Sequence, residues 1–345
     1  MQSTGGAAAE HELNHGSLFD EAYFEQAVIE HLSAMGYERL YGPNIERTDS
    51  SYHDALLPGV LEDCVRRINP SAHPAALTEA LRKVTDIEGV DLLSRNIRFM
   101  DYLQSGVEVS YFDGEKTTSD NIRIIDFDHP ENNVFNVVNQ WTYVEYEEKR
   151  PDVIVFVNGM PLVVFELKSP SRENADASDA YLQLRNYMKA IPTLFNYNAF
   201  CVMTDMSDTR VGTITASEDR FMQWKTADGD YSKIAGKVAV RWTTLLDGMF
   251  PKERLLDILR NFICFSKSED GTAKILAAYH QYFGVHKAVE STMHAMHGDG
   301  KAGVFWHTQG SGKSLSMVFY VHLLASQVNS PTIVVTTDRT DLDGQ

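Results

Sequence analysis

Residues 150–170 read RPDVIVFVNGMPLVVFELKSP, and this stretch decides the fold. Asn158-Gly159 divides two apolar runs. Both central positions of a two-residue type I′ hairpin turn need positive φ, which this dipeptide tolerates best. The runs VIVFV and LVVF are apolar on both faces, which predicts central, buried strands. Asp152 opens the first strand, while Glu166 and Lys168, two apart, share one face of the second. A three-residue loop sets Asp152 opposite Glu166, and other loop lengths shift that register by about one residue. Two carboxylates and an ammonium at the end of a buried hairpin are costly unless something compensates. Phosphodiester hydrolysis uses such a trio. Two hard carboxylates hold Mg²⁺, the metal acidifies a bound water, and a lysine orients that water and offsets charge. The same spacing also arises when Asp152 merely starts a strand and Glu166 and Lys168 are solvated strand-end residues.

Working outward, DASDAYLQLRNYMKAIP reads as a helix near 176–190, with Gln183 and Tyr187 four apart on one face. That face would offer an amide and a phenol to a phosphate or a metal-bound water; the alternative is an amphipathic helix with a buried tyrosine. Strands are expected near 200–204 and 210–215, and in the alternating segments NIRIIDF and FNVVNQWTYVEY. Upstream, SLFDEAYFEQAVIEHLSAMGYE reads as a helix, with Phe24, Val28 and Leu32 in register and Gly36 as its C-cap. Residues 41–90 read as short helices and loops, and 222–250 as a polar connection. The expected organisation is a loose tail over 1–18, one domain over 19–250 and the start of another over 251–345.

That second unit is expected to open with helical ERLLDILRNFICF and a further helix over 273–290. VFW, QGSGKS and LSMVFYVHLLA then follow as strand, glycine-rich turn and helix, with PTIVVTTDR as the next strand. Backbone N–H groups over Gln309, Gly310, Ser311, Gly312 and Lys313 can wrap a β-phosphate at the helix N-terminus. Lys313 would reach the β- and γ-phosphates of ATP, and the Ser314 hydroxyl would bind Mg²⁺. His307 stands where the strict GxxxxGK(S/T) pattern has its first glycine. The bland alternative is a chance GSGKS in a polar linker.

Composition bounds these readings. The chain has 345 residues, 43% hydrophobic and 23% charged, so it can bury sizeable cores. A formal net charge of −17 excludes a simple basic DNA-coating protein but not a local basic channel. Three scattered cysteines form no metal spacing and no disulfide framework. The histidines, including His294 and His297, make no convincing metal set. No apolar stretch approaches a membrane span and the N-terminus has no basic n-region, so the expectation is a cytoplasmic protein with no membrane partner.

Asp152, Glu166-x-Lys168 and Gln183-xxx-Tyr187 resemble the PD-(D/E)xK nuclease core with the trailing QxxxY motif of its RecB-like branch. Wider wording, including FNYNAFCVMTD, TRVGTITASEDRFMQWKT and YHQYFGVHKAVE, resembles the restriction (R) subunit of type I restriction–modification enzymes over most of 20–345. The resemblance implies an α/β fold: a restriction-endonuclease-like core with a mixed sheet, then an incomplete RecA-like P-loop domain. It implies an ATP-dependent, type I site-specific deoxyribonuclease that cuts double-stranded DNA, using Mg²⁺ and ATP. Target recognition and methylation would belong to methyltransferase (M) and specificity (S) subunits. It also implies an acidic residue from an N-terminal helix at the metal site, Glu25 or, second, Glu30. Gln281 would read adenine, or is a surface glutamine. Thr337 and Arg339 would approach the DNA backbone in the manner of superfamily 2 translocases. No strand ending in Asp-Glu follows the loop, so ATP turnover by this chain alone is not expected. The alternatives are a free-standing helicase–nuclease of DNA repair and a non-catalytic nucleotide-binding docking module.

Overall fold

The computed structural model describes residues 21–168, 177–206, 208–234, 242–269, 271–329 and 331–336. The tail over 1–18, Thr337 and Arg339 lie outside the described residues. The hairpin occupies the centre of a six-stranded sheet whose spatial order is β1 (Glu38–Tyr41), β4 (Phe135–Asn139), β7 (Val153–Val157), β8 (Met160–Leu167), β9 (Phe200–Thr204) and β10 (Thr209–Gly212). β1 runs parallel to β4 and β8 parallel to β9, while the other neighbours are antiparallel. The sheet is therefore mixed and the fold mixed α/β, consistent with a nuclease-like core. Every residue of β7 and β8 is buried. Each large apolar side chain there contributes about 1.5–3 kcal/mol by leaving water.

Turn chemistry sets this centre. Asn158 (φ 50°) and Gly159 (φ 79°) are both left-handed, and the loop closes on two residues, with Val157 opposite Met160. A bulge between Val155 and Phe156 then adds a residue on β8, so Val153 faces Phe165. The strand ends thus take the register expected of a longer loop, which carries Asp152 across from Glu166. The Asn158 side chain is buried: its Oδ1 accepts from Val134 N (2.8 Å), and its Nδ2 donates to Ile124 O and Asn133 Oδ1 (2.9 Å each).

Helix α1 (residues 21–34) buries Phe24, Val28, Ile29 and Leu32, the stripe legible in the sequence. Short helices α2 (Val60–Ile68) and α3 (Pro74–Thr85) follow, then α4 (Leu92–Ser105). Helix α4 is not among the expected elements, although its cap is local: Ser94 N donates to Asp91 Oδ1 (2.7 Å) and Asp91 N to Ser94 Oγ (3.0 Å). Two small hairpins, β2 (Val107–Phe112) with β3 (Thr117–Ile122) and β5 (Tyr143–Val144) with β6 (Glu148–Lys149), are inserted in sequence between β1 and β4 and between β4 and β7. The strand expected over 121–127 is β3 instead, and the one expected over 135–146 breaks at Gln140, whose φ is 55°. Helix α5 (Ala177–Ala190) packs on β8 and β9, and α6 (Pro192–Asn196) follows.

The second unit differs more. The polar connection contains α7 (Trp242–Met249), and α8 (Lys252–Asn261) stops before Phe262. The residues expected to prolong α8 form β11 (Ile263–Ser268). Those expected to start the next helix form β12 (Gly271–Leu276), antiparallel to it. β-Branched and aromatic residues around a glycine with φ 124° favour that hairpin. Helices α9 (Tyr279–Ala295) and α10 (Lys313–Gln327) pack together. VFW and the 331–336 segment form no strand; Val304, Trp306 and Val334 are 94%, 77% and 82% exposed. An isolated strand gains nothing without neighbours, and among the described residues no strand lies beside them.

Lys274 of β12 ties this unit to the nuclease-like core. Only 3% exposed, it donates from Nζ to Asn96 Oδ1 (2.8 Å) and Asn198 O (2.6 Å), and its backbone meets the Thr213 and Thr215 hydroxyls. Burial pushes the Lys274 ammonium down to about 7. Below about 7 both folded and unfolded chains carry this charge and the burial penalty is complete. Between about 7 and 10.5 the unfolded chain keeps a proton that the folded one has lost, so stability rises with pH. Lys274→Met should abolish that rise, checked by urea unfolding across the range. Asn158→Ala should cost about 2–4 kcal/mol in the same assay at neutral pH, because it strands three buried partners.

Candidate active site

Asp152 and Glu166 come together at the end of β7 and β8 on opposite strands. Asp152 Oδ2 accepts from Leu167 N at 2.7 Å. Glu166 is 1% exposed; its Oε1 accepts from Lys168 Nζ, and its Oε2 is buried without a hydrogen-bond partner. Lys168 leaves the strand end with its backbone N–H on Thr204 O (2.8 Å). Burial, then the Glu166 charge, hold the Asp152 carboxyl well above the usual range. Burial likewise raises Glu166 against the opposing pull of Lys168. Lys168 is raised: burial opposes its charge, but the Glu166 and Asp152 charges outweigh that. It therefore stays an ammonium at neutral pH.

Helix α5 places Gln183 and Tyr187 on one face, as its spacing requires. The buried Tyr187 hydroxyl faces Glu166 and Gln183 and makes a long 3.5 Å contact with Arg150 O. Burial and the two carboxylates raise this phenol, so it remains a proton donor.

The N-terminal acids separate. Glu21, which is not among the acids expected from the sequence, reaches Lys168 Nζ at 3.8 Å. Glu25, one turn on, accepts from Asn139 Nδ2 (2.7 Å) and Gln140 Nε2 (3.0 Å). Glu30 is exposed and accepts from Gln26 on its own helix (2.6 Å). The i, i+4 spacing puts Glu21 and Glu25 on one side of α1; which of them meets the hairpin depends on how the helix docks.

Among the described residues, no group of three or more His, Cys, Asp or Glu side chains is set to hold a metal. The pair nonetheless fits a divalent cation. A buried carboxyl oxygen without a hydrogen-bond partner, beside a second buried carboxyl, is what a cation would relieve, with water or phosphate oxygens completing its shell.

The glycine-rich turn lies far along the chain. Gly310 (φ 80°) and Gly312 (φ 75°) are left-handed, and Gly312 caps α10. Lys313 Nζ, exposed, donates to His307 O (3.0 Å) and Thr308 O (3.2 Å) of its own loop. Gln309 and Gly310 are exposed, Ser311 and Ser314 half-buried. Gln281 is buried, with Oε1 accepting from Ala278 N (2.8 Å) and Nε2 donating to Gly312 O (3.0 Å). Its amide thus braces the loop instead of lying open to a base. A cavity of about 1100 Å³ beside the turn is lined by Lys287, Phe305, Trp306, His307, Lys313 and Tyr320, among others.

Residues 19–220 match the family described as type I restriction enzyme R protein N terminus, more than half of the chain. The chain belongs to that family. Similar curated proteins include the type I restriction enzyme HindI endonuclease subunit of Haemophilus influenzae, 39% identical over 95% of this chain and 32% of that protein. A putative type I restriction enzyme MjaIXP endonuclease subunit of Methanocaldococcus jannaschii is 33% identical over 95% of this chain and 34% of its own length. The chain spans about a third of the length of these relatives. Residues 280–345 match the SWI2/SNF2 ATPase family. No helix among the described residues is long and apolar enough to cross a membrane.

The raised carboxylates reverse the usual acid dependence. Below about 3.8, Asp152 is protonated in folded and unfolded chains alike and carries no penalty. As pH rises, the unfolded chain ionises first and folding loses stability. Asp152→Asn should therefore raise Tm at neutral pH by about 2–4 °C, with the gain vanishing in acid. It should also remove any rise in Tm that Mn²⁺ gives the wild type. Differential scanning fluorimetry with and without the metal checks both.

Proposed function

We propose that this chain carries the endonuclease centre and the start of the motor of a type I restriction R subunit. In this reading the assembled enzyme cuts double-stranded DNA when ATP-driven translocation stalls, in the cytoplasm, with M and S subunits supplying recognition and methylation. One observation carries the nuclease half: Glu166 is buried opposite Asp152, with one oxygen hydrogen-bonded to Lys168 and the other lacking a partner at hydrogen-bond geometry. Buried carboxyls with pKa values shifted by burial and by neighbouring charges cluster at functional sites.

Asp152 and Glu166 are the residues that would hold Mg²⁺. When bound, that ion supplies a water acidified for attack and positive charge at the scissile phosphate. Lys168, kept charged by its carboxylate neighbours, orients the attacking water and offsets the extra negative charge of the transition state. Tyr187 faces Glu166 and Gln183 adjoins the Tyr187 hydroxyl, and both would donate to a phosphate oxygen or water there. Glu21, within reach of Lys168, is a better-placed third acid than Glu25 or Glu30.

The motor half rests on the phosphate loop and the SWI2/SNF2 match. A RecA-like fold would give 304–306 and 331–336 their missing sheet neighbours. Gln309, Gly310, Ser311, Gly312 and Lys313 would wrap the phosphates of ATP, with Ser314 on its Mg²⁺. Lys313 must first leave His307 O and Thr308 O.

In the full-length enzyme with its M and S subunits, Asp152→Ala, Glu166→Ala and Lys168→Ala should each cut duplex cleavage by at least about 100-fold while ATP turnover survives. Lys313→Ala should abolish ATP turnover and, with it, cleavage. Supercoiled-plasmid cutting and phosphate release measure the two; robust cutting by Glu166→Ala would sink the nuclease reading.

A further inference from the structure

The carboxylate pocket sits on an acidic protein, so a DNA strand approaching it needs a local cation beyond Lys168. Arg150 lies two residues before Asp152, and its carbonyl is 3.5 Å from the Tyr187 hydroxyl. Its guanidinium is 51% exposed and is held by a neutral group, Gln140 Oε1 at 3.3 Å. Among the described residues, its carboxylate contact is Glu148 at 4.0 Å, too long to neutralise it, whereas neighbouring Lys149 is matched by Glu147 at 2.7 Å.

Gln140 is itself held in place. It adopts a left-handed φ of 55°, rare for a side chain with a Cβ. Its Nε2 donates to Glu25 Oε2 (3.0 Å), while the other Glu25 oxygen accepts from Asn139 (2.7 Å). Gly42 packs so tightly against this bend that an added Cβ would lie 2.3 Å from Gln140 O. Glu25 thus polarises and fixes an amide whose opposite end grips Arg150.

We propose that Arg150 is a binding residue for the phosphodiester backbone of DNA, aimed beside the carboxylate pocket by Glu25 acting through Gln140. Glu25 is then a positioning residue and not a metal ligand. The inference rests on the reading of the pocket as a nuclease centre, and it adds a contact and a role that the carboxylates do not supply.

The test is binding of a short fluorescent duplex to the chain in EDTA across a salt series, so that no cleavage intervenes. Arg150→Ala should weaken binding by about tenfold and lower the slope of log affinity against log salt by about one, the signature of one lost phosphate contact. Arg150→Lys should restore the slope but not the full affinity. Glu25→Ala, or Gln140→Ala should that variant fold poorly, should weaken binding likewise yet keep the rise in Tm with Mn²⁺. Wild-type affinity and slope in Arg150→Ala, or a wild-type chain that binds no duplex, would overturn the proposal. Loss of the Mn²⁺ response in Glu25→Ala with DNA binding intact would make Glu25 a metal ligand and overturn its positioning role. Cleavage by Asp152→Ala in the full enzyme would sink the nuclease reading while leaving this binding result standing.

Discussion

The centre of the sheet holds two carboxylates out of water with one ammonium for company. That arrangement costs free energy, since a buried charge loses several kcal/mol of hydration that its partners only partly return. Lys168 satisfies one oxygen of Glu166, the Leu167 N–H satisfies one oxygen of Asp152, and Glu166 Oε2 has no partner at hydrogen-bond geometry, with the Tyr187 hydroxyl facing the carboxyl. The rest of the core tolerates this because β7 and β8 are apolar along their whole length and flanked by strands on both sides. Stability is drawn from the strands and spent at their ends.

The surrounding devices keep that end in register. The Asn158-Gly159 turn starts the pairing, and the bulge at Val155/Phe156 corrects it by one residue. Without the bulge, the side chains beyond it would alternate to the wrong faces. The buried Asn158 amide pins the turn to 124, 133 and 134, so the turn end of the hairpin is fixed. The bend at 139–140, held by Glu25 and closed over Gly42, borders the pocket from the β4 side.

The second unit is joined to this core by polar contacts buried in an apolar setting. Lys274 reaches into the nuclease-like core, and seven residues later Gln281 reaches into the glycine-rich turn. The β11–β12 hairpin is therefore a short, well-anchored connection between the nuclease-like core and the helices beside the glycine-rich turn. Its exposed neighbours, Val304, Trp306 and Val334, are apolar side chains of segments that make no strand pairing.

What the sequence determined by itself was local. The positive φ at 158 and 159, the apolar runs beside them, the i, i+4 face of Gln183 and Tyr187, and the glycine-led start of α10 follow from chemistry within a few residues. So did the presence of Asp152, Glu166 and Lys168 near one strand end. Tertiary structure decided the rest, because it depends on contacts across long chain separations. Docking of α1 turned Glu21 to Lys168 and Glu25 to the 139–140 bend, a choice that two glutamates one turn apart cannot encode locally. The pairing of β11 with β12 overrode a helical pattern, and burial against Ala278 and Gly312 took Gln281 out of solvent. The segments at 304–306 and 331–336 carry strand-like residues but no strand, since β structure exists only where a neighbouring strand supplies the hydrogen bonds.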